Sequence, residues 1–370
     1  TYNYNYSKAY DQTLEIEGNQ VTGLSKKFAI PTRYPSNGSS YTSFASYVNW
    51  SWNMSEFFTF NVGTRLTFTG LKASWNDVIS VNPQLSEVNL NSKALTTTVS
   101  IKLRPSKRVQ INTVLSSGFR NPNIDDIGKI RENNGLLVVP NTFLKPEYAY
   151  NLDLGFDFRS LNNTNFISLR GFSTIISRHI GRDEYVVFSD ITTPDLSTII
   201  YNGEEVTTIS NKNLGNRFIH GFSIDGFSKI MSNLKLDYAL TYTRGDNNDT
   251  YGPLPSISPL FGSIALSYSK RGLNLRAVYK FSEAKNPSEY SFGGEDGLDE
   301  TPFIVNSEGL LTYLGTPKWS DLSIYGSKNI SSNVTLRIGL TNVFDSHYRT
   351  FASGISAPGR SFQVGLNLKL

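Results

Sequence analysis

The chain has 370 residues, of which 38% are apolar and 13% aromatic, with 20 Tyr, 23 Phe, 2 Met, no Cys and a formal net charge of +4. The lack of cysteine excludes Cys-ligated zinc and thiol catalysis and fits an oxidising envelope compartment. The small charge, without Lys/Arg clusters, excludes a nucleic-acid partner.

No apolar run reaches the roughly 18 to 20 residues of a membrane-crossing helix. A membrane β-barrel needs no such run, because its spanning strands are apolar only at alternate positions. Thr1 is not preceded by an initiator Met, and no charged and then apolar leader follows it. Position 1 is therefore expected to lie inside a longer gene product.

Taken in chain order, period-2 alternation gives about fourteen strand candidates. Very short connections rich in Asn, Ser, Gly and Pro fall at Asn53 to Glu56, Pro105 to Lys107, Leu161 to Asn163, Met231 to Asn233, Lys270 to Gly272 and Ser331 to Asn333. Long connections lie between them, at roughly 18 to 40, 75 to 94, 120 to 146, 181 to 216, 247 to 258, 284 to 318 and 345 to 360. Short and long alternate without a break, as periplasmic turns and extracellular loops do in an outer-membrane barrel. The expected fold is all-β, a transmembrane antiparallel barrel. Parity puts Leu370 at the periplasmic end and Thr1 near that side.

The strands carry the same message. In "NLDLGFDF", Leu152, Leu154, Phe156 and Phe158 alternate with Asp153, Gly155 and Asp157. "LKLDYALTY" sends Leu234, Leu236, Tyr238, Leu240 and Tyr242 outward and Lys235, Asp237 and Thr241 inward, and "VTLRIGL" repeats the pattern around Arg337. "RSFQVGLNLKL" keeps it to the last residue. Inward charges require a wet or polar-filled lumen. Tyr47, Trp50, Phe57, Phe58 and Trp319, near strand ends, are expected at the membrane interfaces.

Several segments bear a family likeness. "GFRNPNIDDIGKI" followed by "VVPNTFLKPEYAYNLDLGF" resembles the paired FRAP and NPNLKPE boxes of TonB-dependent outer-membrane receptors. "TNVFDSHYRTFASGISAPGRSFQVGLNLKL" resembles their C-terminal signature. "PTRYPSNGSSYTSFASYVNWSW" and "GPLPSISPLFGSIALSY" are similar to mid-barrel segments of the same family, in the style of its Bacteroidetes members. The resemblance implies a barrel of about twenty-two strands around an N-terminal plug that contacts TonB. On that footing residues 1–370 are the C-terminal portion of one barrel domain, with the plug outside this chain. In the family the last strand closes the barrel and ends on an aromatic residue, from which Leu370 departs.

The resemblance also implies a transporter rather than an enzyme. It would sit in the outer membrane among lipid and lipopolysaccharide, driven by TonB, and import a ferric siderophore or similar scarce chelate. It needs no cofactor or resident metal, and an outer-membrane lipoprotein partner is left open. Ligand binding needs polar and aromatic groups converging on long loops. The candidates are Arg120, Asn123, Asp125, Asp126 and Arg131 in the first box loop, Arg182 and Tyr185 in the next, and Tyr348 and Arg349 in the last. The plainer reading of Arg120, Asn121, Pro122, Gly359 and Arg360 is that they fix loops against the rim.

Haem receptors of the family carry a His between the two boxes, and none stands between Arg120 and Lys145. His179 and His347 could reach the extracellular side, where a lone loop His is more often solvated than a ligand. Glu295, Asp296, Asp299 and Glu300 in "GGEDGLDE" read as a solvated acidic loop rather than a calcium site. The alternatives are a haem or glycan receptor, a passive pore, and a structural barrel in an envelope complex.

Overall fold

The computed structural model describes residues 1–6, 9–18, 20–30, 34–75, 87–186, 197–201, 203–248, 252–292 and 294–369. The expectation for Leu370 falls outside these residues, as do Gly293 and parts of the loops around 31–33, 76–86, 187–196 and 249–251.

Fourteen antiparallel strands form one sheet in strict chain order. They are β1 (Tyr2–Asn5), β2 (Ser39–Asn53), β3 (Phe58–Ser74), β4 (Glu87–Ser106), β5 (Val109–Arg120), β6 (Glu147–Arg159), β7 (Asn165–Ser177), β8 (Arg217–Met231), β9 (Leu234–Gly245), β10 (Phe261–Lys270), β11 (Leu273–Ser282), β12 (Trp319–Asn329), β13 (Val334–Thr341) and β14 (Ser361–Leu368). Among the described residues β1 and β14 do not pair with each other, so the wall is an open sheet.

All the expected short turns are tight links between paired strands at one end of this wall. At Arg271 (φ 48°) and Gly272 (φ 73°) both central residues are left-handed, the geometry that matches the twist of the flanking strands.

Register assigns the faces. Across β8, β9 and β10, Ile224 lies beside Leu240, and Leu236 beside Leu266, on the outer face. The inner face carries Asp157, which accepts from Asn112 Nδ2 (3.1 Å), Ser168 Oγ (2.7 Å) and Arg170 Nη2 (3.3 Å). Further round, Asp237 sits between Lys235 (2.6 Å) and Arg276 (3.3 Å). These inward carboxylates each have a donor, and the exposed Asp225 on the same face is left to water, as a polar lumen allows.

The strands outrun the membrane at the long-loop end. Up to the Leu66–Leu95 pair the outer face of β3 and β4 is apolar apart from Thr64 beside Thr97; above it come Phe68 beside Lys93, Gly70 beside Asn91 and Lys72 beside Asn89. On the inner face the change is opposite, from Thr69 beside Ser92 to Leu71 beside Leu90 and Ala73 beside Val88. The inversion marks where lipid stops and where packed loops begin.

Four expectations change. Tyr47 faces Arg65 on the inner side and Trp319 faces Ser282 on the inner side, so neither is an interface aromatic; strand parity overrides position near a strand end. Trp50 and Phe58 do face outward, with Trp50 stacked on Trp52 at 5.7 Å. β4 begins at Glu87 rather than near 94, because its upper part pairs with β3 as far as Ser74. Residues Ala9–Glu17 and Gln20–Ile30 pair with each other rather than with the wall. Thr1 lies in the upper half, its ammonium donating to Ser43 O (2.8 Å), because β1 pairs with the top of β2.

Candidate functional site

The first two candidate loops fold into one body. Strands Arg131–Asn133, Leu136–Val138, Ile180–Glu184, Thr198–Tyr201 and Glu204–Asn213 make a second, five-stranded sheet above the rim. Leu137 and Val139 from one loop and Ile180 and Val206 from the other join Leu71, Ala73 and Val88 of the wall in a single apolar core. Burying the Val, Leu and Ile side chains among them stabilises the platform by roughly 1.5–3 kcal/mol each. Asn141, Asn211 and Asn213 stitch the loops together with side-chain bonds to backbone.

Arg120, Asn123 and Asp126 meet at the base of this platform. Asn123 caps the short helix α1 (Ile124–Ile127): its side chain accepts from Asp126 N (3.0 Å), and the Asp126 carboxylate accepts from Asn123 N (2.9 Å). The other Asp126 oxygen is bonded to the Arg120 guanidinium. Asp126 is buried while Arg120 is half exposed. The N-P-N-x-x-D pattern thus builds a reciprocal cap at the start of the helix. Asp125 and Arg131 are exposed on the same platform. Tyr185 packs against the apolar core, and that burial pushes its phenol up.

Tyr348 and Arg349 lie elsewhere, over the last loop. Asn342, buried and left-handed (φ 48°), donates to Ser346 O (2.9 Å) and Pro358 O (3.0 Å). Asp345 accepts from Arg360 N (2.8 Å), and Arg360 Nε donates to Val343 O (3.0 Å). The N-x-F-D and P-G-R residues therefore clamp the loop base, as the plainer reading of Arg360 expects.

The clamp holds Tyr348 flat against Trp319, with centroids 4.3 Å apart and planes 14° apart. Burial, then the Asp321 carboxylate, pushes the Tyr348 phenol up. Tyr348, Arg349, His347, Lys318, Glu300 and Phe303 line a cleft of about 550 Å³. Lys318 and Phe303 were not among the sequence candidates; the only signal was the place of Lys318 beside Trp319 at a strand start.

The acidic segment is solvated only in part: Glu295, Asp299 and Glu300 are exposed, yet each is tied to another loop, and Asp296 is buried. Glu295 Oε1 lies 3.5 Å from Arg182 Nε, Asp299 Oδ2 accepts from Asn134 Nδ2 (3.1 Å), and Arg349 Nη1 donates to Glu300 O (2.7 Å). Asp296, 3% exposed, accepts from Ser256 N (2.7 Å) and faces the Lys285 ammonium at 3.7 Å. Lys285 is itself buried; it donates to Ile257 O (2.5 Å) and lies over the Phe351 ring at 4.1 Å. His179 is also not solvated: it is buried against Glu147, Nδ1 to Oε2 3.2 Å. In both cases partners distant in sequence collected the polar groups. No group of three or more metal-ligating side chains occurs among the described residues.

A family model described as TonB dependent receptor-like, beta-barrel, matches residues 1–343. The hemoglobin-binding protein A of Haemophilus influenzae is 25% identical over 297 residues, covering 75% of this chain and 27% of the relative. Among solved structures, the copper transporter OprC superposes with a TM-score of 0.71 at 17% identity, over 98% of this chain and 52% of that one. The siderophore receptor PiuA from Acinetobacter baumannii gives 0.64 at 15% identity, over 95% and 46%. At these identities the structural likenesses concern the fold. The chain spans about a quarter of the length of that curated relative and about half of the two solved structures.

Proposed function

Because the chain belongs to the TonB-dependent receptor β-barrel family, whose members are outer-membrane receptors and not enzymes, we propose that the whole protein imports a ferric siderophore or a similar scarce chelate with energy supplied through TonB. On this reading residues 1–370 form the C-terminal part of a larger barrel, and the plug and TonB-contacting segment lie in the rest of the protein. Lipid and lipopolysaccharide surround the outer face, and a surface lipoprotein is a further partner to look for.

The observation that carries the proposal is the cleft of about 550 Å³ between the last two long loops. That volume is in the range that encloses a small ligand. Lys318 and Arg349 supply positive charge for an anionic chelate, set against Asp299 and Glu300 in the same lining, and Tyr348, backed by Trp319, supplies a rigid aromatic face. Below lies a polar inner wall. Arg120 and Asp126 contribute by fixing the platform beside it.

The test is binding of iron-55 complexes of a tris-catecholate, a tris-hydroxamate and a carboxylate chelator by the full-length protein in outer membranes. Replacing Lys318 and Arg349 by Gln should weaken the bound complex about tenfold or more, in line with loss of charge-assisted contacts. Equal binding by the variant sinks the cleft as the site.

A second reading, haem uptake, is favoured by one observation. His347 lines the cleft, and imidazole is the usual haem-iron ligand; the H. influenzae relative is named for haemoglobin binding. Haemin binding that disappears in His347→Ala while ferric chelates are ignored would select this reading over the first.

A further inference from the structure

We propose that residues 295–300 are a strap across the extracellular mouth, which must let go for cargo to pass. The inference rests on the transport reading given above.

Within these few residues the chain touches four other connections. Glu295 meets Arg182 in the β7–β8 connection, Asp296 meets Ser256 in the β9–β10 connection, Asp299 meets Asn134 in the β5–β6 connection, and the Glu300 carbonyl meets Arg349 in the β13–β14 connection. From β5 to β13 the wall passes through eight strand spacings, roughly 38 Å at ~4.8 Å each. Six residues fully extended reach at most ~20 Å. One such segment can join connections from both sides only if they lean inward and meet on the chord of the curved wall, which is over the lumen.

The strap has one firm attachment and several weak ones. Asp296 is buried with Lys285, and Phe351 and Tyr290 cover that ammonium at 4.1 and 5.4 Å. On either side stand Gly294 (φ 70°) and Gly297 (φ 66°), left-handed positions that a residue with a Cβ rarely adopts. Beyond Gly297 the Asn134–Asp299 contact is open to water, while the Glu295 side chain, between the two glycines, is 30% exposed where it faces Arg182. Contacts of that kind are readily exchanged for water. Gly297, Asp299 and Glu300 also line the cleft, so a ligand there touches the strap beside its releasable contacts. A buried pin between two glycine hinges, with a solvated clasp at Asp299 beyond the second, is a geometry that opens without unfolding the loop.

The chain has no cysteine, which makes a reversible lock direct to build. The full-length protein, freed of any cysteine elsewhere, would carry Asn134→Cys and Asp299→Cys in the outer membrane of an energised Gram-negative host. A short reducible bis-thiosulfonate would bridge them, with the three iron-55 chelates and haemin as probes. Expected are efficient bridging without ligand, uptake by the bridged protein lowered about tenfold or more relative to the same double variant left unbridged, as for a blocked gating step, and full recovery on reduction. The single-cysteine variants should be unaffected by the reagent. Uptake by the bridged protein equal to that of the single variants, or failure of the pair to bridge, overturns the strap. A protein that neither binds nor takes up any probe even when unbridged instead overturns the transport reading, and the strap's role with it.

Discussion

Tyr348 lies flat on Trp319, the two rings 4.3 Å apart, although one belongs to the last loop and the other opens β12. The stack turns a loop tyrosine into a fixed wall of the cleft. Tyr348→Ala should therefore weaken chelate binding about tenfold, since a stacked aromatic pair contributes ~0.5–1.5 kcal/mol beyond its buried area. Tyr348→Phe should bind as the parent does. Titration with an iron-55 chelate distinguishes them, and equal losses in both variants would point to the hydroxyl instead of the ring.

Removal of the Asp126 carboxylate takes a partner from both Arg120 and Asn123 N. Asp126→Ala should loosen the rim platform by about 1–2 kcal/mol, the usual scale of a lost helix cap. Hydrogen exchange at Ile127 and Leu137 reports it. Unchanged protection would mean that the apolar core alone holds the loop.

Lys285 and Asp296 should not be separable. Lys285→Met leaves a buried carboxylate without its cation, and breaking such a pair costs on the order of 3 kcal/mol. The double variant Lys285→Met with Asp296→Leu should recover much of this. Protease resistance of the 283–318 loop measures both, and a double variant as fragile as the single one would contradict the pairing.

Burial also holds the Lys285 ammonium below its ordinary value of 10.5, against the opposing pull of Asp296 and Glu289. The unfolded loop keeps the ordinary value, so it binds more protons than the folded loop as pH climbs between the lowered value and 10.5. The packed loop should accordingly gain stability with rising pH in that alkaline window. Hydrogen exchange at Tyr290 as a function of pH, corrected for the intrinsic rate, checks the sign; a loss of protection across the window would reverse it.

On the wall itself, Leu240→Lys places a charge on the lipid face and should destabilise insertion by about 2–4 kcal/mol near mid-membrane. Thr241→Lys, one residue on and facing the lumen, should be tolerated. Urea titration of the full-length protein in vesicles compares them. Equal costs would refute the face assignment.

The wall was legible in the sequence because strand parity is a local property. Ile224, Leu240 and Leu266 sit on lipid-facing positions, and each strand's own alternation suffices to place them. The turns were legible for the same reason: a left-handed pair such as Arg271–Gly272 is written into two adjacent residues. Reading failed where parity was replaced by proximity to a strand end, as with Tyr47 and Trp319. It failed again where polar residues were buried against partners far along the chain, as with His179 and Asp296.

The sequence by itself determined the period, the order of short turns and long loops, and so an antiparallel wall with an apolar outer and a polar inner face. Backbone pleating converts residue order directly into facing. Only the tertiary structure decided that loops 121–146 and 178–216 fuse into one platform, that Arg120 and Tyr348 belong to different regions, and that the acidic segment buries Asp296 and ties loops together. Those outcomes depend on which side chains meet across the mouth, and contact between segments so far apart in the chain leaves no periodic mark in either of them.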